Sequence, residues 1–368
     1  MSFLRHVADV NNLLNGCKRI KKASGWKETT QNFCINKLRN CVKLHHEILD
    51  GAYEQGKGYS FILNECGRQR KIRALTCRDM VVQHSLCDNV IVPEVRKHLI
   101  HDSGASLKGK GISFTRKRFE QHLHSYFKKY GNEGYILLID FRKFFDNIQH
   151  EKLLELYEKL FPEKEFIEFL ARVLKPYEID TDGNIDDIYN SIEDNGGKNH
   201  LRKSMGIGAP LSQITGLFFP LAIDNYCKIV KGIKYYGAYA DDRYIIHKDK
   251  EYLKDILEEL KVISKSLGIH IHKHKTQIIK LSREFTFLKT KYILTTTGRL
   301  IRKIPLDVIT RQKRKMKKII KILDKEGFTN QYKSWRGDKK NYNAFNTLNN
   351  VDTLYYGLLK EGDKYVSR

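Results

Sequence analysis

The chain has 368 residues, 41% of them hydrophobic, enough for a sizeable core and two or three subdomains. Its 67 Lys+Arg against 43 Asp+Glu give a formal net charge of +24, a field that draws polyanions and makes nucleic acid the expected partner. No apolar run approaches the roughly 20 residues of a membrane span, and the start, MSFLRHVADVNNLL, is too polar and acidic for a signal peptide, so no membrane partner and a cytoplasmic location are expected.

In chain order, TTQNFCINKLRNCVKLHHEILDG has helical periodicity and ends at Gly51, a C-cap signal. FILNECGRQRKIRAL reads as a basic hairpin around Gly67. CRDMVVQHSLCDNVIVPEVRKHL returns to helix, with Pro93 as an interruption. GKGISFTRKRFEQHLHSYFKKYG is a flexible Gly-Lys-Gly loop running into a basic helix, and YILLIDF is a short buried strand. IQHEKLLELYEKLF is a helix, and residues 175–205 are polar and rich in Gly and Asp, an exposed loop or insertion. Within it, EIDTDGNIDD faintly resembles a calcium loop, but its twelfth position is Tyr189 rather than Glu, so it reads as an acidic loop.

PLSQITGLFFPLAIDNYCKIV is an apolar helix, followed by a hairpin whose turn carries Asp241-Asp242. DKEYLKDILEELKVISKSLG is an amphipathic helix stopped by Gly268. IHIHKHKTQIIKL and FTFLKTKYILTTTGRLI read as strands, the second turning at Thr297-Gly298. LDVITRQKRKMKKIIKILDKEG is a strongly basic helix, and the tail is helical. Strands and helices are mixed rather than alternating, which predicts an α+β fold. The seven cysteines are scattered and lack a CxxC pair, so reduced thiols are expected rather than disulfides or a zinc site. HIHKH would place His270, His272 and His274 on one strand face, with no carboxylate or Cys to complete a metal site.

Two features carry chemistry. Asp140 closes a buried apolar strand, where a lone carboxylate is costly without a partner. Asp241 and Asp242 sit side by side between two strands. An Asp-Asp pair alone is commonly a turn or a cap. If the two strands are neighbours, their carboxylates converge into a hard-oxygen site suited to Mg²⁺. Two such ions roughly 3.5–4 Å apart are the usual device for in-line phosphoryl transfer.

These residues, in this order, resemble the reverse transcriptases. IDFRKFFDNI resembles their first palm motif, YADD at Tyr239–Asp242 their YxDD motif, and KHKTQI with Lys275 their fourth palm motif. FTFLKTKY is similar to the primer-grip strand, and GRQRKIRALTCRDMVVQH to a bacterial fingers segment. The likeness runs from about residue 45 to 300. It implies a right-hand polymerase fold: N-terminal helices and fingers over 1–134, palm over 135–300 with a fingers-type insertion at about 165–205, and thumb over 301–368. GIGAPLSQITGLFF, with Ile207 before the Gly and Gln213 after Ser212, is similar to the pattern of diversity-generating retroelements, in which copying is error-prone at template adenines. An antiviral-defence (abortive-infection type) reverse transcriptase and a catalytically idle RNA-binding scaffold stay open as alternatives.

The resemblance implies roles. Asp140, Asp241 and Asp242 and the Phe141 carbonyl would hold two Mg²⁺, with Mn²⁺ a possible substitute, and Lys275 would protonate pyrophosphate. Arg70 and Lys71 would grip the triphosphate, and Phe145 would lie under the sugar as a steric gate. Gly208 would approach the nascent base pair, Ser212 and Gln213 would face the template, and Ile207 would lower fidelity. Lys110, Arg311, Arg314, Lys317 and Lys318 would contact nucleic acid. The implied partners are template RNA, the RNA–DNA hybrid, dNTPs and a small basic accessory protein. Arg243 after YADD and Lys289 in the primer grip depart from the pattern and put fine primer contacts in question.

Overall fold

The computed structural model describes residues 2–65, 67–180 and 200–362. In chain order its strands are β1 (Tyr59–Glu65), β2 (Arg68–Ala74), β3 (Tyr135–Ile139), β4 (Phe141–Arg142), β5 (Ile179–Asp180), β6 (His200–Leu201), β7 (Tyr236–Tyr239), β8 (Asp242–His247), β9 (His270–Ile271), β10 (Gln277–Lys280), β11 (Phe285–Phe287), β12 (Thr290–Leu294) and β13 (Leu300–Lys303). Helices alternate irregularly with these strands, and β1–β2, β3–β10, β4–β9, β5–β6, β11–β12 and β12–β13 pair antiparallel, so the fold is α+β. The chain divides into two compact units: Met1–Thr115, Ile139–Tyr244 and Lys254–Thr276 form one, and Arg116–Leu138, Ile245–Leu253 and Gln277–Arg368 the other.

The first unit opens with helices Phe3–Ala8, Val10–Ser24, Glu28–Ile35 and Lys37–Leu49. The first of these starts on a distant acid. The Glu163 carboxylate accepts from Ser2 Oγ at 2.7 Å, Phe3 N at 2.6 Å and Leu4 N at 3.2 Å, satisfying donors that a helix start leaves open. Phe3 packs edge-on against Phe161 at 5.0 Å, and Phe161 against Phe166 at 5.1 Å, in the core of this unit. β1 and β2 form the expected hairpin, with Glu65 opposite Arg68 and Gly67 at φ +80° supplying the turn.

Pro93 does not interrupt its helix. Helix Cys77–Leu86 continues through a π-helical turn, Cys87–Ile91, into Val92–His98. The wider turn, with Val92 N bonded to Cys87 O, removes the usual clash between a proline ring and the carbonyl one turn back. The apolar stretch after residue 209 is likewise broken into Pro210–Phe218, Leu221–Asn225 and a second π turn, Tyr226–Val230. β7 neighbours β8, and residues 102–104 run beside β7: Ala238 N donates to Asp102 O at 3.1 Å and Gly104 N to Ala238 O at 3.0 Å. Most of the predicted loop at 175–205, and of its acidic stretch, lies outside the described residues.

In the second unit β10 pairs with β3, Gln277 opposite Leu138 and Lys280 opposite Tyr135, and β3 neighbours β8 in turn. The stretch read as one strand, IHIHKHKTQIIKL, is two short strands, β9 and β10, separated by a turn at 273–275. FTFLKTKYIL is also two strands. Leu288 and Lys289 both take positive φ, +46° and +60°, which is the backbone of a two-residue hairpin turn. Lys289 therefore sits where glycine would be favoured because the turn demands it. Phe119, on helix Ile112–Tyr130, packs on Phe287 at 4.8 Å and Tyr292 at 5.1 Å. Helices Leu306–Ile319, Lys325–Asp338 and Phe345–Gly362 close around Met316, Phe328, Tyr332 and Tyr355. No helix among the described residues is long and apolar enough to cross a membrane.

Candidate active site

Asp140 stands between β3 and β4, and the 272–276 turn pins its backbone. His272 N donates to Asp140 O at 2.8 Å, and Asp140 N donates to Thr276 Oγ1 at 3.4 Å. Lys275, on this turn rather than on a strand, brings Nζ to 3.3 Å from Asp140 Oδ1. β7 ends at Tyr239 and β8 begins at Asp242, so the chain reverses at Ala240-Asp241, with Ala240 at φ +51°. Burial raises the Asp241 carboxyl above the usual range; Asp140 adds to this, and Arg243 and Arg70 oppose it. Burial pushes Asp242 up to about 7, with Asp241 and then Asp140 adding to it and Arg243 and Lys275 opposing it.

The three carboxylates thus act on one another inside the first unit. An all-oxygen donor set whose carboxylates repel one another is the chemistry that a hard divalent cation suits. The side chains are not drawn together as ligands: among the described residues no group of three or more His, Cys, Asp or Glu is placed to hold a metal. The three-histidine face is not formed either, because His272 leaves β9 for the turn.

Arg243 is the residue whose place the sequence did not reveal. It lies buried in the core. Its side chain and that of Asp224 are each 1% exposed, with Nε 3.1 Å from Asp224 Oδ1. Nη1 donates to Ala240 O at 2.9 Å, and the guanidinium lies over the Phe141 ring at 5.1 Å. Tyr236 OH donates to the same Asp224 oxygen. One signal was available: PLAIDNY places a single charge in an apolar run and Arg243 opens the apolar run RYII, and opposite charges taken into one core must pair.

The predicted nucleotide residues divide. Lys71 and Ile207 line one cavity of about 410 Å³, with Arg73, Asp146, Glu178 and Met205. Asp146 and Glu178 were not foreseen; burial raises Asp146, and Lys143 and Lys71 oppose it. Arg70 pairs with Glu65 at 3.3 Å. Phe145 is half-buried beside Gly216. Gln213 is exposed, whereas Ser212 is buried and its Oγ donates to Gly206 O at 2.6 Å, so its hydroxyl braces this loop instead of facing a template. Gly208 takes φ +112°, and an added Cβ would meet Ile72 Cγ2 at an ordinary contact distance of 3.6 Å. Gly206 is the tight position: an added Cβ would lie 2.4 Å from Tyr177 Cε1. Gly206→Ala is expected to cost about 1–3 kcal/mol of stability, read by urea denaturation.

Lys110 is committed locally rather than presented outward. Its Nζ donates to His101 O at 2.8 Å and Ser103 O at 2.9 Å, and it lies over Phe114. On helix Leu306–Ile319, Arg314, Lys317 and Lys318 are exposed, while Arg311 pairs with Asp307 at 2.7 Å.

A family model described as reverse transcriptase (RNA-dependent DNA polymerase) matches residues 64–291, well over half of the chain and the whole of the carboxylate site. The chain belongs to the reverse transcriptase family. Solved structures that resemble it include telomerase from Candida albicans in complex with a TWJ fragment of telomeric RNA, at 14% identity and a TM-score of 0.49, covering 85% of this chain and 54% of that one. Another is apo telomerase from Candida tropicalis truncated from its C-terminal domain, at 14% identity and a TM-score of 0.44, covering 67% of this chain and 55% of that one. The chain thus spans about half the length of these telomerase chains. A comparison with curated proteins found no match.

Proposed function

We propose that this chain copies template RNA into cDNA, as an error-prone reverse transcriptase of a diversity-generating retroelement. The observation that supports it most is the mutual action of Asp140, Asp241 and Asp242 within the family-matched region. On this reading Asp140, Asp241, Asp242 and the Phe141 carbonyl would hold two magnesium ions. When bound, the metal supplies activation of the primer hydroxyl and neutralisation of the triphosphate. Arg70 and Lys71 bind and orient the triphosphate, and Lys275 gives a proton to the departing pyrophosphate. The Phe145 ring excludes the ribose 2′-hydroxyl. Residues 1–134 serve as N-terminal helices and fingers, 135–300 as palm and 301–368 as thumb, with Arg314, Lys317 and Lys318 on the phosphates of the RNA–DNA hybrid.

Ile207 is an aliphatic residue beside Lys71 at the cavity, with no polar group to read a base pair. Ile207→Gln is therefore expected to lower misincorporation opposite template adenine, and sequencing the products of both enzymes measures it. The class is tested by primer extension on an RNA template with Mg²⁺ and dNTPs. Templated cDNA with errors concentrated at adenines supports both the activity and the retroelement role. Accurate cDNA retains the polymerase and removes the retroelement. A chain that binds RNA but makes no cDNA, with its native RNA and accessory protein supplied, removes both.

A further inference from the structure

We infer that the buried Arg243–Asp224 pair is a positioning device that ties the Asp140 and Asp241–Asp242 segments together, and that Arg243 thereby sets how tightly the carboxylates take a divalent cation. This rests on the polymerase reading above. One guanidinium uses three parts of itself. Nε pairs with Asp224, Nη1 holds the Ala240 carbonyl at 2.9 Å, and its face covers the Phe141 ring at 5.1 Å. Phe141 follows Asp140, and Ala240 precedes Asp241. Arg243 therefore touches the residue that follows Asp140 and the residue that precedes Asp241.

The geometry explains the choice of arginine. Ala240 holds a left-handed φ of +51°, which an L-residue with a Cβ keeps only when its surroundings impose it. The hydrogen bond to its carbonyl is such an imposition. Asp224 is itself held by Tyr236 OH, which donates to the same oxygen that Nε meets, so the anchor of the guanidinium has a second fixed partner. A lysine could meet Asp224 with a point charge, but it has no planar fork to serve the carbonyl and the ring as well. Stability alone does not require the pair, because an apolar pair of similar volume packs as well as or better than a buried ion pair. What an apolar pair cannot supply is direction at Ala240.

Two variants test this against the parent chain, Arg243→Lys and the double variant Arg243→Met/Asp224→Leu. Thermal unfolding, Mn²⁺ binding followed by the electron paramagnetic resonance of the free ion, and primer extension at varied Mg²⁺ are the readouts. The double variant is expected to melt at or above the parent temperature. Both variants are expected to bind Mn²⁺ about 10-fold more weakly. Half-maximal extension should need correspondingly more Mg²⁺, with KM for the nucleotide unchanged. Parent-like Mn²⁺ binding in folded Arg243→Lys overturns the inference, as does a parent that binds no Mn²⁺. If the double variant does not fold, Arg243→Lys decides alone, since it keeps the charge opposite Asp224. A parent whose Mn²⁺ binding falls in the variants but which makes no cDNA sinks the polymerase reading and keeps this one. A polymerising parent matched by its variants does the reverse.

Discussion

Asp241→Asn is expected to abolish magnesium-dependent cDNA synthesis, with a fall of about 1,000-fold or more, equivalent to roughly 4 kcal/mol of transition-state stabilisation. The carboxylate lies in the turn between β7 and β8, half-buried, with Asp140 acting on it across the site. Asn keeps the shape and one carbonyl oxygen but loses the charge that a divalent ion needs in a hard-oxygen site. The substitution removes a repelled buried charge, so the variant should fold at least as well as the parent. Primer extension beside circular dichroism separates the two effects. A folded variant with undiminished synthesis would remove Asp241 from the metal site.

Asp242→Asn is expected to stabilise the metal-free protein at pH 8, by an amount on the order of 2 kcal/mol, already reduced for the water that reaches this half-buried side chain. The sign follows from proton linkage. Burial first, then Asp241 and Asp140, push the Asp242 carboxyl up to about 7 from its ordinary 3.8. The folded state therefore holds the proton more tightly than the unfolded chain does. This group's contribution to stability is complete below about pH 4 and is lost as pH rises through about 7. Above that, the parent carries an ionised carboxylate among its neighbours, and Asn does not. The gap between variant and parent should be large at pH 8 and shrink towards pH 5. Added Mg²⁺ should raise the melting temperature of the parent more than that of the variant. A variant less stable than the parent at pH 8 would show that the carboxylates do not repel as placed.

Much of the site was legible because its chemistry is local. Asp140 after YILLI, and Asp241-Asp242 between YYGAY and RYIIH, are each set by short-range alternation, and a charge at the end of an apolar strand stands out in any reading. The hairpin at Gly67 and the basic helix Leu306–Ile319 follow from equally local signals. Breaks inside apparently uniform runs were harder to see. KHKT and FLKT carry no Gly or Pro, and β9 and β11 end there because hydrogen bonds from elsewhere hold the turns: His272 N to Asp140 O, and Arg116 Nη2 to Leu288 O. Pro93 was misread for the converse reason, since a π turn is a property of the backbone path and has no residue signature.

The sequence by itself determined the family, the order of the carboxylates and the basic character that suits a polyanion. These depend on residue type and spacing along the chain. Tertiary structure decided which charges face which. It buried Arg243 against Asp224, turned Ser212 to Gly206 and Lys110 to its own loop, and set Lys275 against Asp140. Pairing between residues far apart in sequence is fixed by where the chain closes on itself, and a buried charge, hydroxyl or ammonium goes to whichever partner that closure brings within reach.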